Sequence, residues 1–152
     1  MSEAPDNGIT AGGFDAAQFM RYVKRFGHGA ALGIDYLAHG DDWTELVLPY
    51  GQHLIADVET GVIASGAIVS LMDMATSMAI WVRRESFSPQ ATVDLRIDYL
   101  RPARPERSVI GRGECYRLTR AIAFVRGVAH DGDPGDPLAH VAGTFISTAS
   151  WA

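Results

Sequence analysis

The sequence predicts an α+β domain in which one long, nearly all-apolar helix is wrapped by a curved antiparallel sheet of about five to six strands. Two observations carry that prediction. From Ser65 or Gly66, the residues Ala67, Ile68, Leu71, Met72, Met74, Ala75, Met78, Ala79 and Trp81 run on to Arg84 without Pro or Gly. That is a helix of roughly 18 residues, about 27 Å long. Being apolar on almost every side, it must be buried on most of them. The second observation is the patterning of the C-terminal half: segments 92–100, 108–118, 121–130 and 138–149 each have the character of a strand. In the first of these, Val93, Leu95, Ile97 and Tyr99 alternate with Asp94, Arg96 and Asp98, which predicts a strand with one face inward.

The remaining elements are predicted in chain order. At 152 residues the chain fits one domain. Residues 1–13 are small and polar and read as a mobile lead-in, leaving 14–152 as the single domain. Over 14–26, Phe14, Phe19, Met20, Val23 and Phe26 recur near helical spacing, with Gly27 and Gly29 as stop signals, so a short covering helix is expected. Segments 33–38 and 43–48 flank His39, Gly40, Asp41 and Asp42, the pattern of a β-hairpin. Residues 49–61 read as a connecting loop of the length that often carries function. Thr119 with Arg120, and the Asp131 to Pro137 stretch, supply turns between the later strands. A sheet of this width exposes edges, so pairing with a second copy is expected.

Composition narrows the function. Hydrophobic residues make up 47 % and the net charge is −5, which argues against a general nucleic-acid binder. Between Arg96 and Arg126, however, eight arginines stand against three acids. These are either solvated strand positions or partners for a phosphate-bearing ligand. The single cysteine, Cys115, forms no internal disulfide, and no Cys/His cluster suggests a metal. Polar interruptions at Ser70, Asp73, Thr76 and Ser77 argue against a membrane span, and the N-terminal residues lack the pattern of a secretory signal. The expected address is cytoplasmic. No Gly-x-Ser-x-Gly elbow, phosphate-binding loop, dinucleotide fingerprint or His-Glu-x-x-His motif is present.

The residue that stands out is Asp73, an acid between Met72 and Met74 in the most apolar segment. Burying a carboxylate without partners costs several kcal/mol, so Asp73 is either turned to solvent or kept for a function. The second feature is the helix start. Ser65 and Gly66 present backbone N–H groups at the positive end of the dipole, where negative charge developing on an oxygen is stabilised. Alternatively, Ser65 is simply an N-cap.

These residues resemble a known family. The stretch Thr60-Gly61-Val62-Ile63-Ala64-Ser65-Gly66-Ala67-Ile68-Val69-Ser70-Leu71-Met72-Asp73, followed by Thr92-Val93-Asp94-Leu95-Arg96-Ile97-Asp98-Tyr99-Leu100-Arg101-Pro102-Ala103, is similar to the hotdog-fold acyl-CoA thioesterases of the PaaI and 4-hydroxybenzoyl-CoA type. The weaker similarity extends over about 48–147. The resemblance implies a hotdog fold, a thioesterase activity without metal or redox cofactor, and an acyl-CoA substrate. It sets Ser65 where an amide polarises the thioester carbonyl, Asp73 where the base or nucleophile sits, and Thr92 where a helping hydroxyl is found. It also suggests Arg120 for the phosphates of CoA. The departures are Ala64-Ser65-Gly66 in place of His-Gly-Gly, and Val58 in place of an upstream asparagine. Ala64, Met72, Val58 and His53 complete the expected substrate-binding set, with Met78 and Trp81 as further candidates for the acyl pocket.

Helix geometry adds a constraint. Ser65 and Asp73 are eight positions apart, hence roughly 12 Å along one helix. Two such groups act on one carbonyl only if they come from different subunits across a two-fold axis. A homodimer, or a dimer of dimers, is therefore expected, with no nucleic acid or membrane as partner. Two other readings stay open: a dimer that binds acyl-CoA without cleaving it, and a hydratase or dehydratase relying on His53.

Overall fold

The computed structural model describes residues 7–10 and 13–149. The chain runs β1 (Ile9–Thr10), β2 (Gly13–Phe14), α1 (Ala16–Val23), α2 (Gly27–Leu32), β3 (Asp35–His39), β4 (Trp43–Leu48), a 3-10 turn (Gln52–Leu54), α3 (Ser65–Arg84), β5 (Gln90–Tyr99), β6 (Val109–Leu118), β7 (Ile122–His130) and β8 (Ala139–Ser147). The strands from β3 onward form one antiparallel six-stranded sheet in the order β3-β4-β6-β7-β8-β5. The connection through α3 therefore carries the chain across the sheet, from the β3–β4 hairpin at one edge to β5 at the other. α3 packs mainly on β4, β6 and β7. This is the hotdog arrangement the sequence predicts.

Glycines set how closely the helix sits. A Cβ on Gly113 would lie 2.6 Å from the backbone carbonyl carbon of Ala75, and one on Gly111 2.8 Å from the sulfur of Met72. Beside Gly113, the buried hydroxyl of Thr44 donates to the Ala75 carbonyl at 2.7 Å. Leu71, Met72, Ala75 and Met78 thus share one core with Leu46, Leu48 and Val109, all fully buried. By length and composition α3 would suffice to cross a bilayer, yet 61 % of its most apolar window is buried by the rest of this chain. It is a core helix.

The N-terminal region departs from the sequence reading in two places. The covering helix ends at Val23, and a second helix, α2, begins at Gly27, where the sequence predicts a stop. Left-handed backbone at Gly27 (φ 71°) and Gly33 (φ 73°) separates α2 from its neighbours. α1 is capped by Asp15, whose carboxylate accepts from the amide of Gln18. α1 buries Phe19 beside Phe14, Trp81 and Phe87, with ring centroids 4.9–6.2 Å apart. Of the expected mobile lead-in, residues 1–6, 11 and 12 lie outside the described residues. Ile9–Thr10 pairs with Gly13–Phe14, and Ile9 packs against the core. Residues 150–152 of the expected domain also lie outside the described residues.

β5 corrects a second expectation. Its alternation predicts an inward face containing Val93, Leu95, Ile97 and Tyr99. Leu95 and Ile97 do pack on the core, but Val93 is 61 % and Tyr99 44 % exposed. β5 is an edge strand, and its register against β8 shifts between Thr92 and Asp94. The extra residue, Val93, interrupts the two-residue period.

A buried ion cluster braces the end of β5. The Asp131 carboxylate, fully buried, accepts from both terminal nitrogens of Arg101 (2.7 and 3.0 Å), from the Arg104 guanidinium (3.1 Å) and from the Arg104 amide (2.8 Å). The Arg101 guanidinium, above all, holds the Asp131 carboxyl far below the usual carboxylate range against the opposing effect of burial. Asp136 pairs with the same two arginines. The segment after β5 is thereby fixed to the β7–β8 connection.

Candidate functional site

α3 leaves one stripe uncovered. Gly66, Val69, Ser70, Asp73 and Ser77 fall at i, i+3, i+4, i+7 and i+11, one face of the helix, and are exposed or half-buried, while most positions between them face the sheet. This resolves the placement of Asp73: it lies on that stripe and carries no full burial cost. Small residues dominate the stripe, leaving its backbone approachable.

β5 runs alongside the stripe and touches α3 at three points. Gln90 Nε2 donates to the Ser77 carbonyl (3.0 Å), Thr92 Oγ1 to Asp73 Oδ1 (2.9 Å), and the Tyr99 hydroxyl to the Ser65 carbonyl (3.0 Å). The irregularity at Val93 makes this possible. Thr92 pairs with Phe145 and Leu95 with Gly143, both inward positions of β8, although an unbroken strand would turn residues 92 and 95 to opposite faces. With Oδ1 engaged by Thr92, Oδ2 of Asp73 is left to meet a water or a substrate.

At its N-terminal end α3 is open. Ala64 is the N-cap residue and supplies no side-chain cap, so Ser65 is the first helical residue and not the cap. Among the described residues nothing accepts from the amides of Ser65 or Gly66, and the space above Gly66 is clear to 4 Å. These N–H groups carry the positive end of a 20-residue helix. Beside them opens a cleft of about 360 Å³, lined on the helix side by Val62, Ile63, Ser65 and Ile68 and on the strand side by residues from Tyr99 to Ala103. Its walls are largely apolar, with the Arg101 segment held by Asp131.

The other expected residues are dispersed. Met72 is fully buried beneath Gly111 and Gly127 and does not line the cleft. Met78 and Trp81 are likewise core. His53, in the 3-10 turn, engages the Ala31 carbonyl at 3.1 Å and so ties the loop to α2. Val58 is 85 % exposed, in the turn where Asp57 accepts from the Glu59 amide. Arg120 is exposed in the β6–β7 turn, next to Thr119, whose carbonyl accepts from Arg84 at the far end of α3. That end is roughly 16 Å along the helix from Asp73. Cys115 is buried, and burial pushes its thiol up. Among the described residues, no group of three or more His, Cys, Asp or Glu is arranged to hold a metal.

Two participants escape a reading of the sequence. Tyr99 is legible there only as an apolar strand position, although its hydroxyl marks it as able to reach a polar partner. His28 carries no signal at all: flanked by Gly27 and Gly29, it reads as part of a helix stop, yet its Nε2 lies 2.9 Å from Ser70 Oγ on the α3 stripe.

Similarity to known proteins agrees with this architecture. A family model described as the thioesterase superfamily matches residues 60–138, which span α3, β5 to β7 and the cleft. A protein of Pseudomonas aeruginosa of known structure is 40 % identical, with a TM-score of 0.75 over 84 % of this chain and 94 % of that one. The chain belongs to the thioesterase superfamily, and its reaction class is thioester hydrolysis. A thioesterase of Haemophilus influenzae shares the fold at 22 % identity (TM-score 0.76, covering 88 % of this chain and 90 % of that one). So does a mutant form of the phenylacetic acid degradation protein PaaI of Thermus thermophilus at 24 % identity (TM-score 0.67, covering 78 % and 96 %). No curated protein matches the sequence.

Proposed function

We propose that the protein hydrolyses an acyl-CoA thioester to the free acid and CoA, with Asp73 of one subunit and the Ser65 amide of its partner acting on the same carbonyl. The observation that carries this reading is the hydrogen bond from Thr92 to Asp73 on the uncovered stripe of α3. It fixes one carboxylate oxygen and leaves the other for a water, or for direct attack on the carbonyl carbon. The oxyanion that forms then accepts from the open N–H groups at the start of a neighbouring α3. The separation of about 12 Å between Ser65 and Asp73 along one helix supports a homodimer. So does the exposure of Val69, Val93, Tyr99 and Leu100 around the β5 edge.

The cleft at the start of α3 suits the part of the thioester next to its carbonyl. The Arg120 turn, remote from Asp73, suits the phosphates at the far end of CoA, with the extended pantetheine arm between them. A cytoplasmic address belongs to this reading, since acyl-CoA is made and used there.

Ala64 and Val58 stand at positions with no polar side chain to offer, which favours acyl-CoA binding without cleavage as the second reading. The hydratase reading loses His53, which engages the Ala31 carbonyl, and would have to rest on His28, the imidazole that reaches the stripe. One experiment separates these: thiol release from short, long and aromatic acyl-CoAs by the parent and by Asp73→Asn, with an enoyl-CoA followed for loss of conjugation. The expected result is thiol release that drops at least about 100-fold in Asp73→Asn. Equal rates in the two proteins would remove Asp73 from the mechanism, and binding with background release would leave a binding protein.

A further inference from the structure

The His28–Ser70 pair stands outside the Asp73 and Ser65 chemistry. His28 is exposed on α2, and its Nε2 lies 2.9 Å from Ser70 Oγ. The Ser70 hydroxyl is also placed to donate to the Gly66 carbonyl at 3.1 Å. A hydroxyl has one proton. When that proton goes to Gly66, the bond to His28 must run from Nε2–H to Oγ, which leaves Nδ1 of a neutral ring with a lone pair. Ser70 stands one turn before Asp73 and one turn after Gly66, and residues three apart on a helix have Cβ atoms about 5–6 Å from each other. The stripe therefore receives side chains from two elements: Thr92 from β5 reaches Asp73, and His28 from α2 reaches Ser70.

We propose that His28 is a second proton-transfer residue of the thioester site, held over the Gly66–Ser70–Asp73 floor by its bond to Ser70. The proposal rests on the thioesterase reading above. Water adds its oxygen to the carbonyl carbon and gives one proton to Asp73. The C–S bond then breaks with its electron pair going to sulfur, and the proton passes from Asp73 by way of His28 to the thiolate. The second proton of the water stays with the carboxylic acid, so the products are acid and thiol. An imidazole suits this relay because its two ring nitrogens can donate at one position while accepting at the other.

The test compares parent, His28→Gln, His28→Ala and Ser70→Ala by thiol release. Glutamine keeps a hydrogen-bonding group near Ser70 and cannot carry the proton. Expected are a drop in kcat of roughly 10- to 100-fold in both His28 variants, KM within about twofold of the parent, unchanged thermal midpoints, and partial recovery of His28→Ala by added imidazole. Ser70→Ala should fall less, by loosening the ring. A His28→Gln protein with parental kcat would show the pair to be a staple between α2 and α3 and overturn the proposal. A second measurement needs no turnover: the His28 ring resonances of the parent chain, followed while an acyl-CoA analogue with CH2 in place of sulfur is added. Movement supports the proposal, and resonances that stay put overturn it. A parent that releases no thiol, but whose His28 signals move, counts against thioester hydrolysis while keeping the imidazole at the ligand.

Discussion

The Thr92–Asp73 bond gives the site its sharpest single-residue test. Thr92→Val removes the hydroxyl that engages Oδ1 while keeping the side-chain shape. Losing one hydrogen bond to a charged group is worth about 1.5–3 kcal/mol, so kcat should fall roughly 10- to 100-fold with little change in KM. A Thr92→Val enzyme at parental rate would show that the hydroxyl does not orient Asp73. Asp131 makes a different prediction, about stability. Its carboxyl titrates well below the usual range in the folded chain because Arg101 and Arg104 bind the charged form. A group with a lowered folded pKa adds stability that is complete above its unfolded value, about 3.9, and is lost as pH falls below it. Urea melts should therefore show the parent weakening from pH 5 to pH 3, and Asp131→Asn weakening less over that interval. At pH 7 the variant should be less stable by roughly 3 kcal/mol, the scale for breaking a buried pair. Equal stability at pH 7 would mean that the cluster does not hold the segment after β5.

At the level of elements, periodicity makes α3 legible almost to the residue: the expected helix from Ser65 or Gly66 to Arg84 is the observed Ser65–Arg84. The four later strands agree within two residues, and turn chemistry at Thr119, Asp131 and Pro137 separates the last three of them. The features that escape depend on partners distant in sequence. The two-residue alternation of β5 gives no sign of the irregularity at Val93, which turns Thr92 toward Asp73, nor of an edge position that leaves Tyr99 half outside. Gly27 reads as a terminator, yet its left-handed backbone separates two helices, and α2 brings His28 to the stripe. The sequence carries no sign of what the glycines of β6 do, and only the packed helix shows their use. Gly113→Ala tests that use. The added Cβ meets the Ala75 backbone, which cannot step aside as a flexible side chain would. A loss of about 1–3 kcal/mol is expected from overpacking, read as a lower thermal midpoint. An unchanged midpoint would mean that α3 has room to shift.

For the whole molecule, the claim that joins fold to function is that neither chain holds a complete site. Two substitutions each remove one half without unfolding the helix. Ser65→Pro deletes the amide at the first helical position, where proline is well tolerated, and Ala64 before it already has the extended backbone proline demands (φ −61°, ψ 138°). Asp73→Asn deletes the acid. The most direct measurement mixes the two inactive homodimers under conditions that allow subunits to exchange, and follows thiol release. In a mixed dimer one site pairs Asp73 from the Ser65→Pro chain with the intact amide of the Asp73→Asn chain, and the other site is doubly damaged. Random exchange at equal amounts makes half of the dimers mixed, with one working site of two, so activity should rise to roughly a quarter of the parent's. Activity that stays at the sum of the two separate variants after proven exchange would contradict the shared site.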